Sequence, residues 1–321
     1  MSNIPYSKAK SLPTNNSQLM TKITVPATTA NLGAGFDCIG AALSVYNHFT
    51  FNVPEESNQT HLTITVQGTE AQRVSTDASN LVYQSFQKFY QHLGKETPPV
   101  AINIELGVPL ARGLGSSATA IIGGLMGANE LAGKPLTQTE IMHLAIAIEG
   151  HPDNVVPAFL GNCQLSVANG SNWEICEIPW HQNLVPILAI PDFELSTEAA
   201  RKVLPSQISY NDAVFNISHL GLLLRGLETN NRNWLQVAME DKLHQPYRKT
   251  LIRGYDEVKD AAIDAGAYGM VISGAGPTLL ALADTSQAET VATAMTQAWQ
   301  TEGVTVQTLI LNLDRQGACY S

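Results

Sequence analysis

The sequence predicts an α+β protein that folds as two domains. The chain has 321 residues, of which 44% are hydrophobic, which is enough for more than one buried core. The first half mixes short alternating strands with helical stretches, whereas the second half shows the order β-α-β-β-α-β. That order is typical of a split βαβ sheet with its helices on one side. We place the boundary near residues 170 to 185 and expect domains over 1–180 and 181–321.

Hydrophobic periodicity identifies the elements of the first half. Strands are predicted at KITVPA, ALSVYNHF, HLTITVQ and VAINIEL, and the clean alternation of HLTITVQ predicts a half-buried strand. An amphipathic helix is predicted at NLVYQSFQKFYQHLG, ending at Gly94, with Asp77 and Ser79 as candidate caps. The small apolar residues of SATAIIGGLMGANELAG predict a buried helix. The next helix, TQTEIMHLAIAIEG, opens with a capping-box pair, Thr137 and Glu140.

The second half supplies four further strands and a more polar set of helices. The strands are predicted at VPILAIP, GMVIS, TLLALA and VTVQTLIL, with a tight GAGP turn between the second and the third. Polar helical segments run through NWLQVAMEDKLHQPYRKTLIRGYDEVKDAAIDAG, and a further helix is predicted at SQAETVATAMTQAWQTEG. Together these segments give the β-α-β-β-α-β order.

Charge and composition argue against several classes of function. A net charge of -10 disfavours sequence-independent nucleic-acid binding, which needs a basic surface. The apolar runs are too short to span a membrane. Residues 1–20 are polar without the apolar core of a secretory signal, so we expect a loose leader. Four scattered cysteines without a CxxC pair predict reduced thiols in a cytoplasm-like compartment: Cys38, Cys163, Cys176 and Cys319.

The stretch PLARGLGSSATA, residues 109–120, combines a glycine-rich turn with the start of a helix. Gly113 and Gly115 permit a close backbone approach and positive φ values. The first N–H groups of the helix that begins at Ser116 have no intrahelical partner. Together with the helix dipole they form an anion site, whose usual occupant is phosphate. A tight turn with serine caps is the alternative interpretation of the same residues.

Two known nucleotide-binding motifs fit this stretch poorly. GLGSSA matches the dinucleotide fingerprint G-x-G-x-x-G/A, but residues 109–112 separate the strand from the glycines and the next element is another helix. Glu130 lies inside the helical run, so it cannot supply the acid that this fingerprint needs. A Walker A loop requires Lys after the second Gly, and none is present. Phosphate would therefore rest on backbone amides, hydroxyl groups and a cation.

Three stretches resemble the motifs of the GHMP kinase superfamily and occur in its order: VPATTANLGAGFDCIG, PLARGLGSSATA and VISGAGPTLLAL. Within it, NLGAGFDCIG, EGHPDNVVPAFLGN, STEAARKVLP and DKLHQPYR resemble the homoserine kinase family. The resemblance implies an N-terminal α+β domain with a left-handed βαβ crossover and a C-terminal ferredoxin-like domain. It also implies a homodimer that phosphorylates L-homoserine with ATP and Mg²⁺, the step before threonine formation.

The resemblance assigns ATP and the metal to the first half. Mg²⁺ prefers oxygen ligands, usually one or two from the protein, and Ser117 and Glu149 match this role. Glu149 would otherwise be a solvated acid at a helix end, where the dipole disfavours it. Asn80 matches the position that contacts adenine, although it could also be a helix cap. The implied ATP-binding residues are Asn80, Pro109, Leu110, Ala111, Arg112, Gly113, Leu114, Gly115, Ser116, Ser117 and Ala118.

The implied acceptor site must bind two opposite charges, because homoserine carries an ammonium and a carboxylate. The first needs an acid or amide and the second a guanidinium fork. The resemblance assigns Asn31 and Asp37 to the amino-acid group and Arg201 and Arg248 to the carboxylate. Taken alone, each arginine would be a solvated helix residue. The remaining implied contacts are His151, which could also be structural, Thr197, Gly274 and Gly276.

The catalytic group remains open between two neighbours in HPDN, Asp153 and Asn154. Some GHMP kinases use an aspartate as base, whereas the homoserine kinases are thought to lack one. Phosphoryl transfer has a loose transition state that needs little early proton abstraction. We therefore favour positioning by Asn154 with Glu149-bound Mg²⁺, and a supporting role for Asp153. The alternatives are a GHMP kinase for a mevalonate-type acceptor, which has no ammonium for Asp37, and a non-catalytic amino-acid-binding relative.

Overall fold

The first sheet is built around two long antiparallel strands near the start of the chain. The structure is a computed structural model that describes residues 20–54, 61–170 and 172–321, so nearly all of the expected leader lies outside the described residues. Numbered in chain order, the strands of this sheet are β1 (Met20–Ala30), β2 (Ile39–Asn52), β3 (Leu62–Gln67), β4 (Val100–Glu105), β5 (Cys163–Asn169), β6 (Asn172–Ile178) and β11 (Cys319–Tyr320). The sheet order is β11-β1-β2-β4-β3, and β5 pairs with both β2 and β6.

Four helices cover this sheet and enclose its core. They are α1 (Leu81–His92), α2 (Ser116–Leu131), α3 (Gln138–Glu149) and α4 (Pro152–Leu160). The side chains of α2 are buried along most of its length, as its small apolar residues predict. Phe49 and Phe51 of β2 lie so close to Gly123 and Gly127 that a Cβ on either glycine would approach a ring within 2.4 Å. The helix therefore needs glycine where it crosses the strand.

Helix α1 begins at Leu81, later than either predicted cap, Asp77 or Ser79, requires. Its cap is Asn80, whose Oδ1 accepts hydrogen bonds from the backbone N–H groups of Val82 and Tyr83. The prediction of Asp77 or Ser79 as cap is wrong, because Asp77 accepts its hydrogen bonds from Ser79 and closes the preceding turn. The predicted capping box at the start of α3 is confirmed.

The second sheet confirms the predicted β-α-β-β-α-β order. Its strands are β7 (Leu184–Pro191), β8 (Gly269–Ile272), β9 (Leu279–Asp284) and β10 (Val306–Ile310), in the antiparallel order β10-β7-β9-β8. The helices of this half are α5 (Thr197–Lys202), α6 (Tyr210–Thr229), α7 (Arg232–Ala238), α8 (Gln245–Arg248), α9 (Tyr255–Asp264) and α10 (Ala288–Thr301). Short 3₁₀ helices lie at Ala71–Arg73, Lys249–Leu251 and Thr285–Gln287. This is the ferredoxin-like arrangement that the resemblance implies.

The two sheets are connected between β6 and β7, and the end of the chain returns to the first sheet. The last strand of the first half, β6, belongs to the first sheet, and β7 of the second sheet begins at Leu184. Strand β11, from the end of the second half, pairs with β1. The domain limits at 180 and 181 stay a prediction. Strands β3 and β4 are parallel, with α1 between them in the chain, and the left-handedness of this crossover also stays a prediction.

Candidate active site

A cavity of about 340 Å³ is lined by residues from both halves of the chain. Its walls come from the loop after β1, the glycine-rich loop before α2, the junction of α3 and α4, helices α5 and α8, and the turn after β8. Most sequence-predicted site residues line it: Asn31, Asp37, Ala111, Gly113, Gly115, Ser116, Ser117, Glu149, His151, Asp153, Asn154, Thr197, Arg201, Arg248 and Gly274. The fold thus brings together residues up to 243 positions apart, such as Asn31 and Gly274.

The glycine-rich loop leaves the start of α2 open to a ligand. Gly115 is the cap residue of α2 at φ +67° and provides no side-chain cap, so the first-turn N–H groups are available to an anion. A Cβ on Gly115 would lie 2.0 Å from Thr28 Oγ1, and one on Gly113 would lie 2.2 Å from the Ser273 carbonyl oxygen. Ser273 Oγ donates to the Gly113 carbonyl at 2.7 Å, which ties this loop to the turn after β8.

A second cavity of about 260 Å³ begins beside the same loop. It is lined by Asn80 and Leu110 and shares Ser116 and Ser117 with the first cavity. Asn80 therefore both caps α1 and lines a pocket, while its contact with adenine stays a prediction. Leu114 and Ala118 are buried in the core and contribute through their backbone.

Arg112 is placed away from both cavities, although the resemblance assigns it to ATP. Its Nε donates to the Pro191 carbonyl at 3.0 Å and its Nη2 to the Asp192 carbonyl at 2.9 Å. The guanidinium therefore donates to backbone carbonyls and links the glycine-rich loop to the end of β7. Pro109 lines the same separate cavity as Arg112. Neither side chain lines the two cavities beside the glycine-rich loop, and the assignment of these residues to ATP stays a prediction.

The predicted metal ligands are adjacent. Ser117 Oγ donates to Glu149 Oε1 at 2.6 Å, at the edge of the open helix start. The described residues contain no group of three or more His, Cys, Asp or Glu side chains that could hold a metal ion. One hydroxyl and one carboxylate fit Mg²⁺, because this ion takes most of its ligands from phosphate and water.

Two residues assigned to opposite ends of the acceptor pair with each other. Arg201 donates to both carboxylate oxygens of Asp37, with distances of 3.0 Å and 2.8 Å. Hydrogen bonding to Asp37 raises the pKa of Arg201. Asn31 supports this arrangement, since its Nδ2 donates to the Gly274 carbonyl at 2.9 Å and its Oδ1 accepts from the Asp37 N–H at 3.0 Å. Asn31 therefore links the loop after β1 to the turn after β8 by hydrogen bonds.

Arg248 is a nearly buried cation, with 2% of its surface exposed. Its Nε donates to the Ala200 carbonyl at 3.1 Å and its Nη1 to the Gly274 carbonyl at 3.0 Å. Burial lowers the pKa of Arg248, and the nearby charge of Arg201 lowers it further. Gly276, by contrast, does not line the cavity, because it packs against Ile272, Ile252 and Leu195.

Sequence reasoning missed His244, although it lies in the quoted stretch DKLHQPYR. The side chain is fully buried, its Nε2 lies 3.0 Å from the Gly33 carbonyl, and its Nδ1 lies 3.4 Å from Arg248 Nη1. Burial lowers the pKa of His244 to about 4. The ring is therefore neutral at pH 7, with the proton on Nε2 and with Nδ1 accepting from Arg248.

The α3–α4 junction holds a chain of polar contacts. His151 Nδ1 lies 2.7 Å from Asp153 Oδ1, and this hydrogen bond raises the pKa of His151. Asn154 Nδ2 donates to the same oxygen at 3.2 Å, while Asn154 Oδ1 accepts from Thr28 Oγ1 at 2.8 Å. These contacts fix the amide orientation of Asn154 beside Gly115.

The buried His244 predicts a pH dependence of stability. The folded state keeps the ring neutral down to about pH 4, whereas the unfolded chain binds a proton below about pH 6.5. The unfolded state therefore binds more protons in this window, and stability is lost as the pH falls through it. We expect His244 to account for about 2 kcal/mol of the difference in unfolding free energy between pH 7 and pH 5.

This expectation is tested by urea unfolding at pH 5 and pH 7. The difference should shrink in His244→Gln and should persist in His92→Gln, which changes an exposed histidine at the end of α1. An unchanged difference in His244→Gln would contradict the neutral assignment.

Comparisons with known proteins agree with this geometry. The family described as GHMP kinases N terminal domain matches residues 80–162, and the family described as GHMP kinases C terminal matches residues 219–301. A curated homoserine kinase of Nostoc punctiforme is 64% identical over 296 residues, covering 92% of this chain and 96% of that protein. A homoserine kinase of Crocosphaera subtropica has the same identity and coverage. The crystal structure of homoserine kinase from Cytophaga hutchinsonii aligns with a TM-score of 0.85 at 29% identity, covering 97% of this chain and 100% of that one.

The fold has two sheets and a glycine-rich loop that leads into an open helix start, and both family descriptions match the chain. The chain therefore belongs to the GHMP kinase family. It is therefore an ATP-dependent phosphotransferase. Within that family, its identity to curated relatives over nearly the full length places it among the homoserine kinases.

Proposed function

We propose that the chain transfers the γ-phosphoryl group of ATP to the side-chain hydroxyl of L-homoserine, forming ADP and O-phospho-L-homoserine on the route to threonine. One observation carries this proposal: a single cavity has an open helix start on one side and the charged set Asp37, Arg201 and Arg248 on the other. The helix start suits the phosphates of ATP. The charged set suits the ammonium and carboxylate of an amino acid.

The ATP site uses the glycine-rich loop and the neighbouring pocket. The triphosphate lies against the backbone N–H groups at the start of α2, and the base enters the pocket beside Asn80. Ser117 and Glu149, which hydrogen-bond to each other, would hold Mg²⁺. When bound, the ion neutralises charge that develops on the transferred phosphoryl group.

The acceptor site exchanges one ion pair for two. Arg201 and Asp37 bind each other in the described structure. When homoserine binds, its carboxylate pairs with the Arg201 guanidinium and its ammonium pairs with the Asp37 carboxylate. Arg248 supplies the second cation for the carboxylate from its buried position. His151 and Thr197 line the remaining wall. The site therefore selects a zwitterion of matching length over an uncharged alcohol.

Phosphoryl transfer proceeds by positioning. Thr28 and Asp153 fix the Asn154 amide at the loop, and Asp153 is itself engaged by His151 and Asn154. An aspartate that is 3% exposed and holds two neighbours serves better as a support than as a mobile base. The loose transition state needs little proton abstraction before the acceptor oxygen attacks.

We expect Asp153→Asn to retain substantial activity, within about tenfold of the wild type, because the variant keeps a hydrogen-bond acceptor for its neighbours. Steady-state kinetics with L-homoserine give the comparison, and circular dichroism reports the fold. A fall in kcat of about 10²- to 10⁴-fold with unchanged homoserine binding would instead identify Asp153 as a general base.

The assembly and its compartment are also proposals. We infer a homodimer, supported by exposed apolar side chains that repeat along α6 at Tyr210, Val214 and Ile217. The free thiols of all four cysteines support a reducing, cytoplasmic environment. No helix in the described part of the chain is long and apolar enough to cross a membrane. Light scattering on the purified protein measures the oligomeric state.

An ADP-release assay tests the reaction itself. Purified protein, ATP and Mg²⁺ are combined with L-homoserine, R-mevalonate or D-galactose at equal concentrations. We expect acceptor-dependent ADP release with L-homoserine alone. Faster turnover of mevalonate than of L-homoserine would show that the acceptor is assigned wrongly. The absence of turnover with every acceptor would point to a non-catalytic binding protein.

A further inference from the structure

The acceptor site contains a buried charge whose hydrogen-bond partners are all neutral. In the described residues, the hydrogen bonds of Arg248 go to the carbonyls of Ala200 and Gly274 and to the imidazole of His244. A buried cation without an anionic partner is costly, and the nearby Arg201 adds repulsion. Arg201 is paired with Asp37, whereas no carboxylate among the described residues hydrogen-bonds to Arg248, so any further group that favours the buried Arg248 charge matters for this site.

The aromatic ring of Phe36 lies beside both cations. The Arg248 guanidinium carbon is 5.1 Å from the centre of this ring, and the Arg201 guanidinium carbon is 6.0 Å from it. These distances are within the range in which the electron-rich face of an aromatic ring attracts a cation. One ring therefore offsets part of the charge of both arginines.

Phe36 is held in place by the buried histidine. The rings of Phe36 and His244 are stacked, with centres 4.9 Å apart and planes inclined by 19°. His244 is fixed in turn by its hydrogen bond to the Gly33 carbonyl. Gly33 packs closely against the end of α7, where a Cβ on it would lie 2.6 Å from the Met239 carbonyl oxygen. The Phe36 ring is thus stacked on a buried histidine and lies beside the two cations.

We propose that Phe36 is a positioning residue of the acceptor site: its ring aligns the Arg201 and Arg248 guanidinium groups toward the carboxylate of the substrate. The inference rests on the proposed function, in which these two arginines bind that carboxylate. Phe36 touches no reacting atom in this scheme. Its contribution is confined to the affinity for acceptors that carry a carboxylate.

The test replaces the ring without removing the apolar volume. Phe36→Leu should raise KM for L-homoserine by about tenfold, whereas kcat and KM for ATP should change by less than about twofold. Phe36→Tyr retains the aromatic face and should restore KM to within about threefold of the wild type. Fluorinated phenylalanines at position 36 keep the shape but weaken the negative face, so KM should rise with each added fluorine.

Two controls separate this role from a structural one. Propanolamine lacks the carboxylate of homoserine, so its KM should be the same in the wild type and in Phe36→Leu. Phe215→Leu removes a similar ring, stacked on His219 and 4.6 Å from Lys242 Nζ but outside the cavity, and should leave KM for L-homoserine unchanged.

The outcomes distinguish a failure of the Phe36 proposal from a failure of the proposed function. An equal penalty for propanolamine, or a KM that does not respond to fluorination, would overturn the role of Phe36. If Arg201→Ala and Arg248→Ala themselves leave KM for L-homoserine unchanged, the acceptor site of the proposed function fails. If the arginine variants raise KM and the ring variants do not, only the inference about Phe36 fails.

Discussion

Replacement of Glu149 by alanine is expected to lower kcat by at least about 100-fold, because a carboxylate ligand of the catalytic metal ion acts on charge in the transition state. The side chain reaches Ser117 at the start of α2 and contributes no packing to the core cluster beneath it. The fold should therefore survive the change. The measurement is kcat as a function of Mg²⁺ concentration, with circular dichroism and the unfolding temperature as checks.

Two variants control this experiment. Ser117→Ala should be milder, because water can replace one hydroxyl ligand. Glu140→Gln changes an acid at the other end of the same helix, where it belongs to the capping box, and should leave kcat within about twofold. Normal turnover of Glu149→Ala at limiting Mg²⁺ would remove Glu149 from the metal site.

Replacement of Arg248 by alanine is expected to raise KM for L-homoserine at least about 30-fold. Removing one partner of a buried charge pair costs about 2–5 kcal/mol, since the other charge is left unpaired. Arg201→Ala should act in the same direction with a smaller effect, because the Arg201 side chain is 39% exposed. KM for ATP should change little, since neither arginine belongs to the glycine-rich loop.

Propanolamine again provides the decisive comparison for the arginines. It should be a poor acceptor for the wild type and should lose little more in either variant. Arg248 also donates to two backbone carbonyls, so the variant needs a matched measurement of stability. Should both variants penalise propanolamine as heavily as homoserine, the guanidinium groups do not bind the carboxylate and the acceptor site must be redrawn.

Local pattern predicted the fold where periodicity is strong. The alternating strands, the amphipathic α1 and the second-half order are all present in the structure. The sequence analysis missed α4, β5 and β6 for physical reasons. Helix α4 contains Pro157, which argues against a helix, yet it is stabilised by burial against the first sheet. Strands β5 and β6 form a half-exposed hairpin at the side of the sheet, so their apolar alternation is weak.

The site residues were predicted from motifs, and most of them line one cavity, whereas the direction of some side chains could not be predicted. The sequence pattern contains Arg112 in the phosphate stretch, but only the tertiary structure brings the end of β7 within reach of its guanidinium. The pairing of Asp37 with Arg201 joins positions 164 residues apart, which no local signal can predict. Phe36 and His244 lie inside quoted motifs. No local pattern indicates that these two rings stack or that His244 is buried.

The return of β11 to the first sheet has a consequence for biosynthesis. Ile23 and Thr24 of β1 pair with Tyr320 and Cys319, so the two ends of the described chain meet in one sheet and the second sheet is an insertion between them. A ribosome delivers β1 nearly three hundred residues before its outer neighbour. Throughout that interval the edge of β1 presents unpaired backbone groups, the kind of surface to which other nascent strands add. The first described strand is thus among the last to gain all its partners, and its edge stays open until the end of the chain has been made.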